Sequence, residues 1–203
     1  MSMIKGSDFS MPSNRKDATK NTQKVLAAAH KIFAEKGKEA TIEEIAAEAG
    51  VGVGTVHRRF LSKNLLAAAV VTDVFTEIKK KQLEVVSLEI PADDKMRLLF
   101  ELFSASHQQY GKIHSLGLHL ATEGELGHDM KTSLLVGLEG GVQRVIEQGQ
   151  REGLFREGNP ALMELLIVHM INPNLILKLN EQLPPSEITK HVSDMILLGL
   201  SQK

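Results

Sequence analysis

The chain has 203 residues, 42% of them hydrophobic and 24% charged, the usage of an ordinary folded protein of one or two domains rather than a disordered one. It contains no cysteine, which excludes disulfides, thiol catalysis, iron–sulfur clusters and thiolate zinc sites. The formal net charge of −1 divides unevenly: residues 1–63 hold 11 Lys and Arg against 7 Asp and Glu, and residues 64–203 hold 13 against 18. A basic amino-terminal third implies a polyanion partner for that part alone.

Residues 1–19 lack periodicity and read as a flexible arm. Val25, Leu26, Ala29, Ile32 and Phe33 then form one apolar helical stripe, with Gly37 placed to end it. Thr41 and Glu44 have the spacing of a capping box, opening a second helix with Ile42, Ile45, Ala46 and Ala49 on its buried side. Gly50 stops that helix after little more than two turns. Val53, Val56 and Phe60 are the inner face of a third short helix. Ser62 caps a fourth, predicted to run from Lys63 to about Val86. Beyond Pro91 the elements lengthen: one stripe runs from Met96 to Tyr110 and a second from Ile113 to Leu120. A third runs from Met130 to Ile146 and ends near Gly153. Leu162, Leu165, Leu166 and Met170 open another element, which Pro173 should kink or break, and Ile188, Val192, Met195 and Ile196 mark the last. No period-2 alternation or hairpin turn is present, so the expected fold is all-α. The longest uncharged run, Leu165–Leu177, is 13 residues with His169, Asn172, Pro173 and Asn174 inside it, too short and too polar for a membrane span. Lys5 has no apolar stretch behind it, so no secretion signal is read and the cytoplasm is the expected compartment.

Three short helices, the last two joined at Gly50, describe a helix-turn-helix. Ala46 is small where the two helices cross, Gly50 can take the positive φ of the turn, and Val56 and Phe60 brace the third helix from inside. The outward side of that helix then carries two arginines and a histidine, suited to a groove of phosphates and base edges. The stretch TIEEIAAEAGVGVGTVHRRFLSKNLL, Thr41 to Leu66, resembles the DNA-binding segment of the tetracycline-repressor (TetR) family of bacterial transcription regulators. Phe33, Gly37, Ala46, Gly50, Thr55, Phe60 and Lys63 carry the likeness, which covers about residues 20–70. The resemblance implies an arm (1–19), a helix-turn-helix domain (20–64) and a helical ligand-binding and dimerisation domain (65–203). It also implies that Thr41 and Thr55 contact phosphate, that Lys63 meets the DNA backbone, and that Val53, Gly54, His57 and Arg58 lie at the groove, with Arg59 beside them. Three positions depart from the family: His57 stands for its usual tyrosine, Arg59 for its usual histidine, and Gly52 for a capping serine. Glycine is a serviceable cap; the histidine alters a family phosphate contact and makes binding more sensitive to pH.

In the large domain, Met96, Phe100, Phe103, Met130 and Leu134 are the expected pocket lining, with His107 as a polar group within it. Gly137, Gly140 and Gly141 in one predicted helix each cost about 1 kcal/mol against alanine, which close helix approach or space for a ligand would offset. His107, His114, His119 and His128 fall on separate elements with no metal-ligand spacing, so no metal and no cofactor is expected. His169 and His191 fall on apolar faces at the expected dimer seam. No nucleophile elbow or phosphate loop is present, and an enzyme is not expected. The sequence thus predicts a repressor that binds a palindromic double-stranded DNA operator as a homodimer. The dimer forms through the last two long helices, around 162–181 and 187–200, and an apolar or amphipathic small molecule releases the DNA. The alternative is a DNA-binding adaptor whose large domain seats a protein partner. A gain in melting temperature with a small apolar molecule separates the two.

Overall fold

The structure is a computed structural model that describes residues 14–122, 140–171 and 173–202. Its helices, in chain order, are α1 (Asn14–Lys36), α2 (Ile42–Ala49), α3 (Val53–Phe60), α4 (Lys63–Val86), α5 (Ala92–Thr122), α6 (Gly141–Arg151), α7 (Pro160–Met170), α8 (Pro173–Asn180) and α9 (Pro185–Leu200), with a 3-10 turn at Gly37–Glu39. The described residues are helical throughout apart from turns and one isolated bridge, Phe155 to Ser201. The fold is all-α.

The local signals act where the sequence places them. Gly37 takes φ +56° and ends α1, Gly50 takes φ +65° and ends α2, and the Ser62 hydroxyl accepts from the Leu65 N–H at 3.2 Å to start α4. Two expectations change. The first helix begins at Asn14, ahead of the periodic stripe, because residues before Asn21 are helical without an apolar face. The stripes ending at Tyr110 and starting at Ile113 belong to one long helix, α5, bent where Tyr110 leaves helical geometry (φ −124°, ψ 18°). As expected at Pro173, the late element is broken, into α7 and α8.

Gly140 stands at φ +91° as the residue before α6, and Gly141 opens the helix, so neither carries a helix-interior penalty. Gly137, with Met130, Leu134 and His128, lies outside the described residues. A close helix approach at a glycine falls elsewhere. At Gly117 of α5 a Cβ would sit 2.9 Å from Val71 Cγ1 and 3.5 Å from the Phe75 ring, both on α4.

Two apolar clusters hold the chain. The first joins α1 to α4, with Val25, Phe33, Ile45, Val56 and Leu66 fully buried, and includes Ile113, Leu116 and Leu120 from the second half of α5. The second joins Met96, Leu99, Phe100 and Phe103 from the first half of α5 to Val142, Val145 and Ile146 of α6, Phe155, Ile167 of α7 and Ile196, Leu197 and Leu200 of α9. Helix α5 therefore runs through both, and its bend lies between them. Two buried polar side chains, Glu164 and Lys95, are tied off at helix ends. Glu164 accepts from the Gly140 and Gln143 N–H groups at 2.8 and 3.1 Å and so caps α6. Lys95 donates to the Val86 carbonyl at 2.8 Å and to Gln148 Oε1 at 2.7 Å, closing the α4–α5 connection.

Candidate nucleic-acid interface

The reading head is built from its caps outward. Thr41 Oγ1 accepts from the Glu44 N–H at 3.2 Å, and Glu44 Oε2 accepts from the Thr41 N–H at 3.1 Å, the reciprocal capping box. Glu44 also pairs with Lys36 of α1 at 2.5 Å, and Glu48 with Lys31 at 2.8 Å. The Lys36 ammonium, then the Thr41 N–H, hold the Glu44 carboxyl below its usual range. These pairs lash α2 to α1 and offset two negative charges on the helix next to α3. Sequence reasoning did not find them, because Lys31 and Lys36 lie on another helix.

Helix α3 is anchored by Val56, fully buried, with Val53 and Phe60 half-buried against the first cluster. Its other face is open: Gly54, His57, Arg58 and Arg59 are exposed and Thr55 is half-buried. The Arg58 guanidinium donates to Thr55 Oγ1 at 3.2 Å, which aims the arginine along the helix instead of leaving it to sweep. No side chain caps the amino end of α3, where Gly52 is extended (φ −72°, ψ 148°). The free N–H groups there and the basic side chains in its last turn suit a phosphate-lined groove. Thr41 is exposed with its hydroxyl proton still available to a phosphate. Lys63 is held: its ammonium donates to the Lys38 carbonyl, tying the start of α4 to the turn after α1.

One residue of this surface was not anticipated. Leu61, between α3 and α4, is 76% exposed and has φ 56°, ψ −44°, with the Ser62 N–H bonded back to the Phe60 carbonyl. This is a tight γ-turn in a conformation that L-residues rarely adopt. It sets the abrupt change of direction between α3 and the long helix α4. The only hint in the sequence is an apolar residue between a helix end and a capping serine.

Beyond the head, Phe100 and His107 line a cleft closed by Ile171, Ile176 of α8, and Ile188 and Val192 of α9. Met96 and Phe103, expected in a pocket, are instead packed in the second cluster, 0% and 6% exposed. His114 of α5 is buried. Its Nε2 meets Ser106 Oγ at 3.2 Å, its ring stacks on Phe75 of α4 at 5.6 Å between centroids, and it contacts His107 edge-on at 4.6 Å. Burial, and then the neighbouring His107, push the His114 imidazole down to about 3; burial pushes His107 down as well, against its bond to the Phe103 carbonyl. His169 and His191 are exposed. Among the described residues no group of three His, Asp or Glu side chains is arranged to hold a metal.

His114 contributes to the acid sensitivity of the fold. Folded His114 stays neutral down to about pH 3, whereas an unfolded imidazole takes up a proton near 6.5. Below pH 6.5 the unfolded state therefore binds more protons, and stability falls with falling pH. The expected loss from His114 between pH 7 and pH 5 is about 2 kcal/mol. Urea unfolding at the two pH values checks it: the His114→Gln variant should lose less on acidification than the parent, and equal losses would refute the assignment.

Residues 25–70 match the sequence model of the bacterial regulatory proteins of the tetR family. An HTH-type transcriptional regulator of Staphylococcus aureus (strain USA300) is 43% identical over 58 residues, which are 28% of this chain and 31% of that protein. The chain thus spans about a third of the curated relative it matches. The fold likeness reaches further. FadR from Bacillus subtilis, solved in complex with stearoyl-CoA, superposes with TM-score 0.73 at 16% identity, covering 88% of this chain and 99% of that one. A Saccharomonospora viridis protein solved in complex with choline gives 0.79 at 16% identity, covering 91% and 100%. PfmR, a TetR-family regulator from Thermus thermophilus, gives 0.69 at 19%, covering 88% and 99%. Residues 25–70 thus carry the sequence of the tetR-family amino-terminal segment, and over most of its length the chain has the fold of these solved proteins.

Proposed function

We propose that the protein is a ligand-responsive transcriptional repressor that binds a roughly palindromic operator as a homodimer in the cytoplasm. The observation that carries this reading is the exposed basic face of α3, continuous through the Leu61 turn with a helix that leads into the large domain. In it Thr41, Thr55 and Lys63 contact the DNA backbone, and Val53, Gly54, His57, Arg58 and Arg59 face the groove. Affinity comes mainly from phosphate neutralisation and specificity from the groove residues.

The pairing of two copies is supported by α7 and α9. Leu162, Leu165 and Leu166 on one, and Met195 and Leu198 on the other, are all about half exposed or more. A set of large apolar side chains this size on adjoining helices marks an association surface, and two-fold pairing places two α3 helices a turn of DNA or a multiple apart. The ligand half of the reading is supported by the cleft beside α5 and by solved neighbours holding stearoyl-CoA and choline. Release requires a ligand that prefers the splayed dimer; moving the equilibrium from 1:99 to 99:1 takes about 5.5 kcal/mol of that preference. Helix α4 is the connecting rod. It starts at the reading head, packs close against α5 at Gly117 and carries Phe75 against His114.

Electrophoretic retardation on the DNA upstream of the protein's own gene, backed by random-site selection, tests the reading. A preferred, roughly two-fold symmetric sequence is expected. Failure of both to yield any preferred sequence would end the repressor reading.

A further inference from the structure

The cleft between α5, α8 and α9 is apolar on most sides, with Phe100, Ile171, Ile176, Ile188 and Val192 around it and no charged side chain among the described residues of its lining. Its cavity volume is about 20 Å³, room for about one water, so a larger occupant enters by pushing the walls of the cleft apart.

Most polar groups of the wall are already used within the protein. Thr189 bonds to Ser104, and the Gln108 amide donates to the Ser104 hydroxyl at 3.4 Å. His107 is different. Its Nδ1 lies 2.9 Å from the Phe103 carbonyl. A carbonyl only accepts, so that nitrogen carries the proton. The tautomer is thereby fixed, and Nε2 presents a lone pair. Nε2 is buried with no hydrogen-bond partner, a state that costs free energy until a donor arrives. Neighbouring His114 does not relieve it, since its own Nε2 is engaged by Ser106.

We infer that the cleft takes a neutral amphiphile, an apolar body with one hydrogen-bond donor such as an alcohol or amide, and that the donor docks on His107 Nε2. The inference rests on the ligand-responsive reading and names the ligand class for it. A carboxylate brings only acceptors to a lone pair, and a fixed cation brings a charge to a wall with no anion among its described residues. Both are disfavoured relative to an uncharged donor of the same length.

The experiment compares 1-octanol, octanoate and octylammonium on the full chain at pH 7.5, by isothermal titration and thermal shift. Octanol should bind at least tenfold tighter than either ion and, at a hundred times its Kd, raise the melting temperature by about 5 °C. In protein labelled with nitrogen-15 at histidine, the His107 Nε2 resonance should move on octanol binding, a readout that needs no variant. His107→Leu should erase the preference for octanol. Equal or tighter binding of either ion, an unmoved Nε2 resonance at saturation, or no binding by any of the three overturns the inference. The ligand-responsive reading is judged separately, by whether any small molecule dissociates the operator complex.

Discussion

Replacing Arg58 with alanine is expected to weaken specific operator binding by about 1–3 kcal/mol, roughly ten- to hundredfold. Arg58 is exposed on the open side of α3 and is pre-aimed by its bond to Thr55, so little side-chain entropy remains to be lost when it docks on a guanine edge or a phosphate. The same placement makes the substitution nearly neutral for folding, since the guanidinium packs in no core. Titration of labelled operator and of scrambled DNA separates the two modes of contact. A base contact lowers the affinity for operator and relaxes discrimination, whereas a phosphate contact weakens both DNAs alike and reduces the salt slope by about 1. Unchanged affinity for both DNAs would remove Arg58 from the interface.

Gly149→Ala is expected to be the most damaging single-methyl change in the large domain. A Cβ at Gly149 would stand 2.1 Å from Phe155 Cδ2 and 2.6 Å from two further ring atoms. The ring has little room to retreat. Phe155 is 3% exposed in the second cluster, and the Leu154 and Phe155 N–H groups both bond to the Gly149 carbonyl, at 2.9 and 3.0 Å. The far side of the loop is fixed too, because the Arg156 N–H donates to the Leu200 carbonyl at 2.7 Å and the Gln202 N–H to the Leu154 carbonyl at 3.1 Å. Overpacking against such a clamp costs about 3 kcal/mol, or a melting temperature lower by about 6–12 °C in a chain of this length. Calorimetry decides it; a shift within a degree would mean that the loop yields. The Gly149→Ala, Phe155→Leu double variant should recover part of the loss, because the smaller side chain vacates the contested space.

The reading head was legible because its determinants are local. The Thr41–Glu44 box, the left-handed Gly50 and the Ser62 cap each act within a few residues. The 3.6-residue spacing of Val53, Val56 and Phe60 leaves the exposed residues of α3 on the opposite side with no tertiary knowledge required. The pocket was legible only in part. Periodicity places Met96, Phe100, Phe103 and His107 on one stripe of α5, yet it cannot say which neighbour each one meets. Met96 and Phe103 are wholly core, while Phe100, also in the core, and His107 line a cleft whose other walls come from α8 and α9.

By itself the sequence determined an all-α chain, the positions of the caps and turns, and a basic face on the third helix, since hydrogen bonds and helical period operate over a handful of neighbouring residues. The tertiary structure alone decided the rest. It set Lys31 and Lys36 against α2, pressed Gly117 onto α4, and buried His107 with an unmet lone pair beside the cleft. Contacts of that kind join residues far apart in the chain, and they exist only once packing has chosen which helix faces which.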